Sequence, residues 1–215
     1  MTELVVFGAG GRAGRRTVDE ARRRGLGVTA VVRDPAAHPG LAADGVRVAA
    51  GDVTDAARVA ELVAGHQAVV SAAAAYGPGS DPDAFFPDST RALLGAVRSA
   101  GARRLLVVGL GALLPDAAGR PLLESPAIPA EALPFCRAHG AGLEILRTEG
   151  GDVDWLYLSP SGLFDEEGGR TGRYRVADHG GDLADRISYQ DLAVALLDEI
   201  AEPRHHRIHL AVTAG

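Results

Sequence analysis

The stretch Glu3–Gly14, ELVVFGAGGRAG, decides the fold. Leu4–Phe7 is an unbroken apolar run, the pattern of a parallel strand buried on both faces. The glycines behind it open onto a helical pattern. A glycine-rich turn between a strand and a helix aims backbone N–H groups and the positive end of the helix dipole at a phosphate. Two registers fit these residues. Gly8, Gly10 and Ala13 match G-x-G-x-x-A, whereas Gly8, Gly11 and Gly14 match G-x-x-G-x-x-G. In either, the first glycine permits the tight turn, the next lets backbone approach a pyrophosphate, and the last lets helix and strand pack closely.

Working outward, short apolar runs alternate with amphipathic segments. Val28–Val32 (VTAVV), Val46–Ala50 (VRVAA), 68–72 (AVVSA), Arg104–Gly109 (RLLVVG) and Trp155–Pro160 (WLYLSP) read as strands, with RIHLAV as a last one. Helices are predicted over RRTVDEARRRG, stopped by Gly25, and over TDAARVAELVAG, capped by Thr54 or Asp55. Three more follow: DSTRALLGAVRSAG, with Asp88 or Ser89 near its start, FCRAHGAGLEILRTEG, and ISYQDLAVALLDEIAEP, capped near Ser188. Such alternation predicts an α/β fold, a Rossmann-type doubly wound parallel sheet joined by right-handed crossovers. One NAD(P)-binding domain over 1–215 is expected, with a small irregular C-terminal substrate lobe drawn from about 110–134 and 160–188. The first of these segments holds Pro115, Pro121, Pro126, Pro129 and Pro134 and little periodicity. A segment that long and irregular points to function.

The 215 residues can bury a core without staples. A net charge of −6 argues against nucleic-acid binding, which wants a basic stripe. Cys136 is the sole cysteine, so no internal disulfide forms. No signal-peptide pattern and no membrane-length apolar run are present. The expectation is a cytoplasmic protein whose partner is a small-molecule substrate, with neither nucleic acid nor membrane.

The end of the second strand bears on which dinucleotide is held. An acid there bonds a ribose 2′-hydroxyl, whereas an arginine accommodates a 2′-phosphate. The sequence VVRDP supplies Arg33 and then Asp34. Arg12, in the glycine loop, could reach the same phosphate, and two guanidiniums suit a dianion. NADP(H) is therefore favoured over NAD(H), which Asp34 keeps open. Asp52 and Val53 follow the third strand at the adenine end, Asp52 as acceptor from its amino group or as a helix cap. Ser71, Ala72 and Ala73 follow the fourth with side chains small enough to lie against ribose and ring.

GAGGRAG, VVRDP, GDVTD, AVVSA, RLLVVG and the late RTGRYRV…RISYQDLAVALLDEI, in that order and spacing, resemble the atypical short-chain dehydrogenase/reductases. The close branch is the NAD(P)H-binding group that includes biliverdin-IXβ reductase and NADH-flavin reductase-like proteins, often labelled NAD-dependent epimerase/dehydratase. The resemblance covers nearly the whole chain. It implies NADP(H) at the carboxyl edge of a Rossmann sheet and reduction of a flavin or other conjugated molecule. The group's usual G-A-T-G-x-x-G aligns with Gly8, Ala9, Gly11 and Gly14, so Gly10 replaces a threonine. The nicotinamide is then expected between Gly109, Leu110 and Gly111 after the fifth strand and Ser159, Pro160 and Ser161 after the sixth.

The chain departs from the common pattern at its chemistry. Most short-chain dehydrogenases use Ser with Tyr-x-x-x-Lys as the proton relay. This sequence contains no lysine, and none of Tyr76, Tyr157, Tyr174 and Tyr189 fits the motif. Hydride transfer to a flavin, a quinone or another conjugated acceptor needs no dedicated acid, so an NADPH-dependent reductase of that class is the favoured reading. Two alternatives are a non-catalytic NAD(P)-sensing regulator and an epimerase, dehydratase or ketoreductase. In the last, His139 falls where the family's basic residue lies and would be the catalytic acid. Ser161 and Tyr174 are candidates for the substrate pocket. Phe85, Phe86, Phe135 and Phe164 serve either as an aromatic wall or as core. His205, His206 and His209 read as a solvated cluster without the acid or cysteine that would complete a metal site. Cys136 with His139 makes a weak nucleophile pair, and DEEGGR reads as an exposed turn.

Overall fold

A computed structural model describes residues 3–75, 79–116, 118–180 and 184–215. The first half runs β1 (Glu3–Phe7), α1 (Arg12–Arg23), β2 (Gly27–Val32), β3 (Val46–Ala50), α2 (Ala56–Val63), β4 (Ala68–Ser71), α3 (Pro82–Ala100) and β5 (Arg104–Val108). The second half runs α4 (Leu133–Glu149), β6 (Trp155–Pro160), β7 (Leu163–Asp165), β8 (Tyr174–Ala177), β9 (Arg186–Ser188), α5 (Tyr189–Ala201) and β10 (Ile208–Ala214). The main sheet has the order β3-β2-β1-β4-β5-β6-β10-β8. Its first seven strands are parallel, and β8 closes it antiparallel to β10. The pair β7–β9 forms a separate two-stranded sheet. This is the Rossmann-like, doubly wound arrangement that the alternation predicts.

The apolar run of β1 explains how both faces are filled. Successive side chains of a strand point to opposite faces. Leu4 and Val6 join Val18, Leu196 and Leu210 in the core under α1 and α5. Val5 and Phe7 join Val59, Leu93, Leu146 and Trp155 in the core under α2, α3 and α4.

Two helices start earlier than the periodicity predicts. α3 begins at Pro82, not near Asp88, because Asp81 caps it by accepting from Ala84 N at 3.2 Å and Pro82 occupies the first turn, where its missing N–H costs nothing. Pro87 lies inside the helix and does not stop it. α4 likewise takes in Leu133 and Pro134. The proline-rich stretch contributes three short 3₁₀ turns, at 111–113, 122–124 and 130–132. Leu114 and Leu122 pack there on Ala211 of β10.

Of the histidines near the C-terminus, only His209 departs from the solvated reading by burial, and the other two are paired at the surface. His205 and His206 precede β10; His205 Nδ1 lies 2.6 Å from Glu199 and His206 Nδ1 2.9 Å from Asp154. His209 is buried in β10, with Nε2 2.8 Å from Ser159 Oγ. DEEGGR is likewise more than an exposed turn. Glu166 pairs with Arg12, and Arg170 reaches the buried Glu20 of α1 at 2.8 and 3.0 Å.

Candidate functional site

The strand order reverses direction between β1 and β4, and ligands of open α/β sheets bind in the crevice at that switch point, beyond the carboxyl ends of the strands. The glycine loop lies there. Gly8 has φ +73°, and a Cβ on it would stand 2.6 Å from Ala72 C and Ala73 N, so the loop lies flat against the end of β4. A Cβ on Gly14 would stand 2.7 Å from Gly8 C, the close approach of helix to strand. Gly11 is the N-cap of α1, and its N–H donates to Gly8 O at 3.0 Å. Gly10 is different: the atoms crowding its missing Cβ belong to the His38 ring, with Nε2 at 2.5 Å and Nδ1 at 2.9 Å. Backbone contacts therefore require glycine at 8 and 14, and the turn runs in the Gly8–Gly11–Gly14 register.

The start of α1 has the character of an anion cradle. No side chain caps it and no acidic residue lies in its first turn, so the chain leaves its leading N–H groups and dipole without a local carboxylate. That arrangement fits the pyrophosphate of a dinucleotide. Arg12, the first helical residue, is engaged by Glu166 and lies 3.5 Å from the Tyr189 hydroxyl; Tyr189 itself stacks on Phe164. Ala9 N donates to Val31 O at 3.1 Å and so ties the loop to the end of β2. Arg33, two residues further, is exposed and bonds to no described residue. Asp34 turns one oxygen inward, accepting from Ala36 N at 2.9 Å.

The other predicted residues border the same edge. Asp52 accepts from Thr54 N at 2.9 Å and Thr54 Oγ1 at 2.8 Å, while Asp55 caps α2, so Asp52 is not the helix cap. Val53 is buried in the core. Ser71 is the last residue of β4, paired with Phe7. Gly109 and Gly111 bring the chain after β5 hard against β6. A Cβ on Gly109 would meet Tyr157 Cδ1 at 2.6 Å, and one on Gly111 would meet Pro160 O at 2.5 Å. Leu110, between them, is half-buried.

Several of the hydroxyls and the imidazole that could donate a proton are engaged by other side chains. Ser159 Oγ bonds His209, and Ser161 Oγ donates to Asp185 at 3.0 Å. Tyr174 donates to Asp198 at 2.8 Å; burial, then that carboxylate, pushes its pKa up. Tyr157 is buried with its hydroxyl against His139 Nδ1, and burial holds the phenol well above its ordinary value. His139 lies stacked on Phe86 with ring centroids 4.2 Å apart and edge-on to Phe135, and burial pushes its pKa down to about 4. At neutral pH the ring is uncharged. Phe85 and Phe86 meet edge to face at 5.2 Å, so Phe85, Phe86 and Phe135 cluster at α3 and α4, while Phe164 is apart on β7. Cys136 is buried, and burial raises its thiol pKa, the opposite of an activated nucleophile. Tyr76 lies outside the described residues. Sequence reasoning missed His38 and Glu166, because each meets the glycine loop through the tertiary fold and carries no local spacing.

The comparisons agree with this geometry. The NAD(P)H-binding family model matches residues 8–203. Uncharacterized protein YwnB of Bacillus subtilis (strain 168) is 33% identical over 220 residues, covering 99% of this chain and 98% of that protein. A solved structure from Bacteroides thetaiotaomicron, provisionally named an epimerase, has TM-score 0.84 at 31% identity and covers 99% of this chain and 97% of that one. Another, from Streptococcus pneumoniae TIGR4 and provisionally named an NADH-flavin reductase, has TM-score 0.81 at 29% identity and covers 100% of both chains. With the family model spanning nearly its whole length and a full-length relative at 33% identity, the chain belongs to the NAD(P)H-binding family and has an oxidoreductase-like Rossmann fold.

Proposed function

We propose that the protein is an NADPH-dependent reductase that passes hydride to a flavin, a quinone or another conjugated small molecule, an oxidoreductase of the atypical short-chain type. The observation that carries this reading is the crevice itself. It offers a phosphate cradle and close-packed backbone, while the Ser159, Ser161, Tyr157 and Tyr174 hydroxyls each already have a side-chain partner within the protein. When bound, the nicotinamide supplies hydride. Gly8, Gly11 and Gly14 would hold the phosphates, and Gly109–Gly111 with Ser159–Ser161 would orient the ring. The acceptor takes up two electrons with the hydride, and solvent supplies the proton. Residues 110–134 and 160–188 form the substrate lobe of a single domain in this reading. A cytoplasmic setting belongs to the proposal; among the described residues no helix is long and apolar enough to cross a membrane.

The test is NADPH oxidation, followed by absorbance, across a panel of flavins, quinones and enones. Turnover with one of them is expected. Tight NADPH binding without turnover on any of them would overturn the reductase and favour the sensing regulator. His139→Ala separates the remaining alternative: a buried ring with pKa about 4 leaves almost no imidazolium to act as acid at pH 7, so substantial turnover should survive. Abolished turnover in a folded variant would restore His139 as the acid of an epimerase-like or ketoreductase mechanism.

A further inference from the structure

We infer that His38 is a specificity-determining residue, reading the 2′-phosphate of NADP(H) together with Arg33, and that Gly10 exists to admit its ring. This rests on the cofactor reading above. Gly10 stands where the family's usual residue is threonine. Its φ is not in the left-handed region that favours glycine, and the three atoms nearest a Cβ there all belong to the His38 imidazole. Gly10 and the His38 ring thus share one small volume, and a side chain at 10 would expel the ring. The half-buried ring is laid directly on the phosphate loop, yet bonds to no described residue. It has been brought to the loop and left with its nitrogens unspent.

The surroundings define the ligand's chemistry. His38 ends the short turn that leaves β2, the strand end that meets the adenosine ribose. Arg33 immediately precedes that turn's cap, Asp34, and its guanidinium is exposed and unbonded among the described residues. Arg15 of α1 reaches the next turn, Pro39–Leu41, which His38 caps, with Nη1 3.5 Å from Gly40 O. The helix N-terminus adds its own partial positive charge. Two guanidiniums, an imidazole able to donate, and a helix start, in a chain of net charge −6, make a local site for a phosphate monoester. Asp34 is the one acid in the turn, and one of its oxygens is bonded to Ala36 N. Arg12 is engaged by Glu166, so in this reading His38 takes the role with Arg33 that the sequence alone gives to Arg12.

The experiment titrates the intact protein with NADPH and, separately, with NADH, read by reduced-nicotinamide fluorescence. The wild type should prefer NADPH. His38→Gln should weaken NADPH binding roughly tenfold, about the value of one charge-assisted hydrogen bond, and leave NADH within about twofold. Gly10→Thr should do the same by displacing the ring, with His38→Ala as a second variant should the threonine disturb folding. An unchanged NADPH-to-NADH ratio in both His38 variants would overturn this inference while leaving the cofactor reading intact. A wild type preferring NADH would overturn it in favour of Asp34 as the ribose ligand. A wild type that binds neither nucleotide would overturn both.

Discussion

Gly11 and Gly14 stand three residues apart in one motif, yet the structure asks different things of them. A methyl at Gly14 would press into Gly8 C at 2.7 Å and Ala9 Cα at 2.9 Å, both backbone atoms that cannot yield. At Gly11 the nearest atom is Gly8 O at 3.3 Å. Gly14→Ala should therefore cost about 1–3 kcal/mol of stability through overpacking and weaken nucleotide binding, whereas Gly11→Ala should fold with about 1 kcal/mol or less lost. Chemical denaturation of the two variants checks this, and equal losses would contradict the close helix–strand approach at Gly14. At this scale the sequence was legible where a motif is local. Gly8 and Gly14 could be named because their partners lie within a few residues or at the neighbouring strand. His38, 28 positions from Gly10, could not, because only the fold of the turn after β2 brings them together.

Between elements, the contact of α4 with β6 is set by His139 and Tyr157 in a nearly dry environment. Burial holds His139 at a pKa of about 4 and, with the charges of Arg147 and His139, His209 at about 3, against an ordinary 6.5. Both folded values lie below the unfolded one. Between pH 6.5 and about 3 the unfolded chain therefore binds more protons than the folded one. Stability is full above pH 6.5 and falls as the pH drops through this window, by roughly 3 kcal/mol for His139 alone. Denaturation midpoints at pH 7.5 and 4.5 should show the loss, and His139→Gln should flatten it. A midpoint unchanged over that range would refute the buried neutral state. The helix register of α4 was readable from its apolar spacing, but the depth of His139 was not. A helix pattern gives a face, not how far under the sheet edge that face slides. The start of α3 was missed for a different reason. Asp88 and Ser89 read as the start, and only the Asp81 cap with Pro82 shows that the helix is already running.

Over the whole molecule, the segment after β7 is tied to the Rossmann sheet by two buried carboxylates. Burial pushes the Glu20 carboxyl up, but hydrogen bonds from Arg170 and Arg24 outweigh it and hold the group below its ordinary value. Asp191, 2% exposed in the first turn of α5, accepts from Thr171 N, Thr171 Oγ1 and Gly172 N at 2.9, 2.7 and 2.8 Å. Asp191→Ala would strand those donors at a cost of about 1–3 kcal/mol. Trypsin should then cut first at Arg170 or Arg173, well before the sheet opens; an unchanged digestion pattern would show the segment to be held by other means. The alternation of strands and helices made the sheet legible, because each element announces its own period. The irregular segments were legible only as irregular, because their conformation is fixed by partners such as Glu20 and Asp191 that lie far off in the chain.

The place of β10 in the sheet has a consequence for the order of events in folding. The last strand in sequence, Ile208–Ala214, is not the last in space. It lies between β6 and β8, parallel to one and antiparallel to the other. During synthesis the side of β6 that β10 will cover stays open, and β8 has nowhere to dock. The closing pairings span long stretches of chain, and contacts of that kind form late and slowly. The nascent protein must therefore carry an unpaired β6 edge from the completion of Trp155–Pro160 until Ile208–Ala214 has been made. The nucleotide crevice, built on β1 to β6, is assembled in outline before the strand that seals the sheet has been made.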